Sequence, residues 1–105
     1  MNIPRKVPAH LMQNRNWRGM LYLFANHYKL NTLFSTQYFD FKTESVRAED
    51  LKKDTKGWSS SEKFMLDLAL HLYNSSNQVD LSGMDLLDGN NTDLALEAII
   101  MRYGS

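Results

Sequence analysis

A chain of 105 residues, 43% apolar and 23% charged, has the length and balance of one globular domain, and its lack of cysteine excludes disulfides and thiolate metal sites. Twelve basic residues offset twelve acidic ones, but they are segregated. No acidic residue precedes Asp40, whereas Arg5, Lys6, Arg15, Arg18 and Lys29 do, and beyond Asp54 the residues Asp67, Asp80, Asp85, Asp88, Asp93 and Glu97 outnumber Lys56, Lys63 and Arg102. Such a field either holds two halves of one domain together or offers a partner a surface of one sign.

The start, through Gln13, carries positive charge with no apolar run behind it, which is not a secretory signal. The longest apolar stretch, Met20 to Ala25, falls far short of the roughly 20 residues that cross a bilayer. A cytoplasmic protein with no membrane segment is expected. With Pro4 and Pro8 both in residues 1–13, that stretch reads as an extended lead-in, and residues 14–105 as a single helical domain.

A helix is predicted from Asn14 to Lys29. Trp17, Met20, Leu21, Phe24 and Tyr28 recur on one face, and Arg15, Arg18, Tyr22, Asn26 and Lys29 fall on the other. Gly19 weakens this helix locally, by roughly 1 kcal/mol relative to alanine. Residues 31–45 are rich in aromatics without a helical period, and the alternation of Phe39 and Phe41 leaves room for a short strand. Val46 to Lys53 reads as a short helix with Ser45 as its N-cap.

Ser59 and Glu62 make the S-x-x-E capping box that opens a helix. Beyond it Phe64, Met65, Leu66, Leu68, Ala69, Leu70, Leu72 and Tyr73 cover most of the circumference, and Lys63, Asp67, His71 and Asn74 form one narrow polar stripe. A helix apolar on nearly every side is a central one. A short helix capped by Asp80, a turn at Asp88-Gly89-Asn90-Asn91, and a last helix from Asn91 or Thr92 to Tyr103 with Gly104 as its C-terminal cap complete the chain. The fold class expected is all-α: a small bundle of about four to five helices around the central one.

The series Phe39-Asp40-Phe41, Val46, Leu51, Trp58-Ser59-Ser60-Ser61, Leu68-Ala69, Leu72-Tyr73-Asn74, Ala98-Ile99 and Arg102-Tyr103 resembles a family of small uncharacterised proteins from Gram-positive bacteria and their mobile elements. The likeness runs over roughly residues 16–103. It implies a bacterial origin and one compact domain, with no activity attached. Ser75 stands where that family carries glycine after the Tyr-Asn pair.

Catalytic signatures are thin. Ser60 and Lys63 make S-x-x-K at a helix start, but the companion motifs of the serine β-lactamases are absent and helix capping explains the serines. His10, His27 and His71 are not spaced as metal ligands. Asp67, one turn before His71, favours the imidazolium within a solvated stripe. Asp80, Asp85, Asp88, Asn90, Asn91 and Asp93 do not match a calcium loop, because Leu86 and Leu87 interrupt the ligand spacing. No cofactor, metal, catalytic residue or small-molecule ligand is expected.

Two surfaces remain. Arg15, Arg18 and Lys29 flank Tyr22, a pattern suited to phosphate contact with base stacking, though the pI of about 6.8 is low for a dedicated nucleic-acid binder. On the last helix Leu94, Ala98 and Met101 mark one apolar face and Leu96, Ile99 and Ile100 another. One small core does not readily cover both, so the second is a candidate interface with another copy or another protein. A non-enzymatic protein-binding role, regulatory or accessory, is the leading expectation; nucleic-acid association through the cationic face is the alternative.

Overall fold

The computed structural model describes residues 7–104. The part of the lead-in from Met1 to Lys6, with Arg5 and Lys6, lies outside the described residues, as does Ser105. From Ala9 to Met12 the lead-in is not extended but makes one helical turn, α1, which places Leu11 fully in the core. Pro8 precedes that turn, and its fixed φ suits a helix start.

Helix α2 spans Arg15–Asn26, and the Asn14 side chain accepts from the Asn16 N–H at 2.8 Å as its cap. It ends three residues before the periodicity does. Asn31 Nδ2 donates to the terminal carbonyls of Phe24 and Ala25, at 3.2 and 3.4 Å. The imidazole Nδ1 of His27 accepts from the N–H groups of Lys29 and Leu30, at 3.2 and 3.3 Å. The turn these side chains fix rotates Tyr28 out to solvent, so it does not share the core face of Trp17, Met20, Leu21 and Phe24. A 3-10 turn, Leu30–Leu33, follows.

The aromatic-rich connection does contain strands. β1 (Phe39–Asp40) pairs antiparallel with β2 (Ser45–Val46), Phe39 opposite Val46. Asp40 Oδ1 accepts from the N–H groups of Lys42 and Thr43 to close the turn, and Glu44 takes the left-handed backbone at φ 55°. Because Ser45 belongs to this ladder, it caps no helix. α3 begins later, at Ala48, and runs to Asp54 with Arg47 ahead of it. Phe39 stacks edge-on against Phe24 and Phe34, with centroids 4.9 and 5.3 Å apart, which nails the connection to α2. Tyr38 O–H donates to Asp54 Oδ2 at 2.6 Å, a bond that pushes its phenol up to about 12.

α4 (Ser60–Tyr73) is the central helix. Both halves of its capping box form: the Ser59 hydroxyl accepts from the Glu62 N–H and the Glu62 carboxylate from the Ser59 N–H. Seven of its residues from Phe64 to Leu72 are buried, on several sides of the helix. The Asp80 side chain caps a 3-10 segment, Leu81–Leu86. The last helix, α5, starts earlier than expected and spans Gly89–Tyr103, because Asp88 accepts from the Asn91 N–H at 2.8 Å and turns the predicted loop into a first helical turn. α2 lies against both α4 and α5. Gly104 holds the C-cap with an extended backbone, φ −71°, rather than the left-handed one.

Candidate functional site

The cationic face is assembled only in part as the sequence suggests. Arg15 is exposed. Arg18 crosses to the end of α5, where its Nε donates to the Met101 carbonyl and its Nη2 to that of Gly104 at 3.5 Å. A guanidinium at a helix C-terminus meets carbonyls left without partners and the negative end of the dipole. Lys29 lies beyond the end of α2, with its ammonium over the Trp58 ring at 5.5 Å. Tyr22 is half-buried and, with Arg18, Val7, Met12, Leu21, Ala25, Asn26, Phe34 and Met101, lines an apolar groove of about 340 Å³. Arg15, Arg18 and Tyr22 thus keep one stripe of α2, with Arg18 and Tyr22 also lining the groove, whereas Lys29 lies beyond the end of the helix.

The only ion pair among the described residues is His10 with Glu44, at 3.2 Å and exposed. The basic front and acidic back do not meet as ion pairs there; Arg18 reaches carbonyl oxygens instead of carboxylates.

A polar cleft of about 450 Å³ escaped the sequence reading. Asn14, Asn16, Trp17, Glu44, Tyr73, Asn74, Ser75 and Arg102 line it. Arg102 donates from Nε to the Leu72 carbonyl at 3.1 Å, and its guanidinium lies over the Tyr103 ring at 4.6 Å. The signal was present in the resemblance, whose Tyr73-Asn74 and Arg102 positions come together here.

The polar stripe of α4 divides. Lys63 is exposed, whereas Asp67 is half-buried and burial raises its carboxyl above the usual range, against the pull of Lys52 and Lys63. His71 Nδ1 lies 2.9 Å from the Asn77 carbonyl and must be the donor, since a carbonyl only accepts. His27 is buried, and burial lowers its pKa against the opposing fields of Glu62 and Asp88. Ser60 and Lys63 make no mutual hydrogen bond. Among the described residues no three His, Asp or Glu side chains group as a metal site.

The last helix presents the most distinctive surface. Ala95 and Ala98 are buried on its inner side. On its outer side Leu96, Ile100 and Tyr103 are 47%, 59% and 54% exposed. Ile99, half-buried, turns toward the 3-10 segment and shares a groove of about 260 Å³ with Leu68, His71, Leu72, Val79, Leu81 and Tyr103. Leu81 and Leu86 are also exposed, at 58% and 53%. Of the three expected interface residues, Leu96 and Ile100 stand open and Ile99 forms the groove wall.

No helix among the described residues is long and apolar enough to cross a membrane. The model of a family described as "Family of unknown function (DUF6075)" matches residues 5–105. No curated protein and no solved structure matches the chain.

Proposed function

The chain belongs to the DUF6075 family, and from that premise we propose that it is a non-enzymatic protein-binding module with a regulatory or accessory role. One observation carries the reading: Leu96, Ile100 and Tyr103 stand roughly half exposed in a row on α5, beside a groove floored by core leucines. Leaving that much apolar surface in water is unfavourable, at about 25 cal/mol for each Å² that a partner could cover. A bacterial cytoplasm is part of the same proposal. It rests on the resemblance and agrees with a cysteine-free sequence.

The test compares the wild type with Leu96→Glu and Ile100→Glu. Both sites are exposed, so the variants should fold normally. A partner captured from bacterial lysate by the wild type, insensitive to nuclease and lost with both variants, supports the module. Capture unaffected by either substitution rejects this face. Binding to DNA or RNA at about 50 mM salt, where electrostatic attraction is strong, would favour the nucleic-acid reading. That reading now leans on Arg15, since Arg18 is engaged at the end of α5.

A further inference from the structure

Resting on that protein-binding reading, we infer that the occupant of the α5 face is a cationic amphipathic helix of another protein. The argument is one of charge around an apolar strip. At 100° per residue Ile99, Tyr103, Leu96 and Ile100 share an arc of about 100°. Asp93 and Glu97 border it on the open side, and both are exposed. Across the groove Asp80 caps the 3-10 segment just ahead of the groove residue Leu81, and Asp85 lies further along that segment, beside Leu86.

From Phe64 to Met101 the chain has no lysine or arginine. Asp80 and Asp88 are occupied as helix caps. Asp85, Asp93 and Glu97 have no ion-pair or side-chain hydrogen-bond partner among the described residues. Three cations lie nearby. Arg102 bonds the Leu72 carbonyl with its guanidinium over the Tyr103 ring, at the C-terminal end of the strip, Lys52 donates to Asn77, and Lys63 shares a hollow with Asp80 and Leu86. His71 in the groove gives its Nδ1 proton to Asn77.

This arrangement selects among occupants. A second copy docking through the same face would bring a second Asp93 and Glu97 into the contact, with Arg102 the one cation on the strip to offset them. An anionic membrane or a nucleic-acid backbone would be repelled. A helix with apolar residues at i, i+3, i+4 and i+7 and lysines or arginines beside them satisfies the strip and the carboxylates together.

Three fluorescently labelled peptides of equal length provide the test, read by anisotropy with the full chain. One is a leucine–lysine amphipathic helix, one replaces its lysines with glutamate, and one scrambles the leucine–lysine order. The first should bind, and the other two at least tenfold more weakly. Asp93→Lys and Glu97→Lys should each weaken it by roughly two- to fivefold, as lost exposed ion pairs do. Ile100→Glu should abolish it. No binding of the first peptide, or equal binding of the scrambled one, overturns the inference. Preference for the glutamate peptide, lost with Ile100→Glu, overturns the charge assignment and leaves the protein-binding reading standing. Self-association in sedimentation that disappears with Ile100→Glu makes the occupant a second copy and overturns the inference.

Discussion

Gly19 of α2 and Ala98 of α5 meet where the two helices cross: a Cβ on Gly19 would lie 2.7 Å from the Ala98 carbonyl oxygen and 3.3 Å from Cδ1 of Leu72. The obstruction is backbone, which cannot swing aside as a side chain can. Helix propensity alone would make Gly19→Ala stabilising by about 1 kcal/mol. Packing reverses the sign, and a net loss of about 1–3 kcal/mol in chemical denaturation is expected. A gain in stability would show that the two helices can separate without cost.

Arg18 and Arg15 are three residues apart and should behave differently. Arg18→Ala removes a guanidinium from the end carbonyls of α5, and charged hydrogen bonds of this kind contribute about 1.5–3 kcal/mol where they are shielded. Arg18 is only partly buried, so about 1–2 kcal/mol is the expected loss. Arg15→Ala should stay within about 0.5 kcal/mol. Hydrogen exchange should show fraying of the last turn of α5 in the first variant and not in the second.

Leu68 and Leu72 are each 1% exposed on α4. Leu68→Ala should cost about 2–5 kcal/mol in denaturant unfolding. A loss below roughly 1 kcal/mol would place α4 at the periphery.

Two titrating groups, buried His27 and half-buried Asp67, give opposite pH trends. The pKa of His27 is lowered by burial, so the unfolded chain binds its proton first. Stability should therefore fall as pH drops below about 6.5, and stop falling once the folded imidazole is also protonated. An NMR titration of His27 above that value would contradict the burial argument. Asp67 is raised by burial, so the folded chain holds its proton longer. Its contribution is greatest at low pH and is lost as pH rises through the folded value. Asp67→Asn should make the protein more stable at neutral pH, with little change in acid.

The local signals were the readable ones. Ser59, Glu62 and Asp80 cap their helices as the sequence indicates, because a cap is settled within three residues. The full apolar girth of α4 likewise marks it as central. What escaped prediction was set by rival local bonds or distant partners. α2 stops at Asn26 because Asn31 satisfies its final carbonyls, a bond that apolar spacing does not encode. Ser45 could cap a helix or pair with Asp40, and the aromatic packing of Phe39 decided for the strand. The cationic face lost Lys29 because α2 stops at Asn26, and Arg18 turned to acceptors 83 and 86 positions away. On α5 the second apolar face was legible because two alanines line the inner side and larger aliphatics the outer.

The packing of α2 on α5 also governs how the domain forms. The first long helix meets α5 only after every other described element has been made. Contacts so far apart in sequence close the largest loops and slow folding relative to a bundle of neighbouring hairpins. During synthesis the apolar side of α2 has α4 for company well before α5 arrives. Until then Gly19 faces an open notch on a half-built protein, a form exposed to chaperones and proteases.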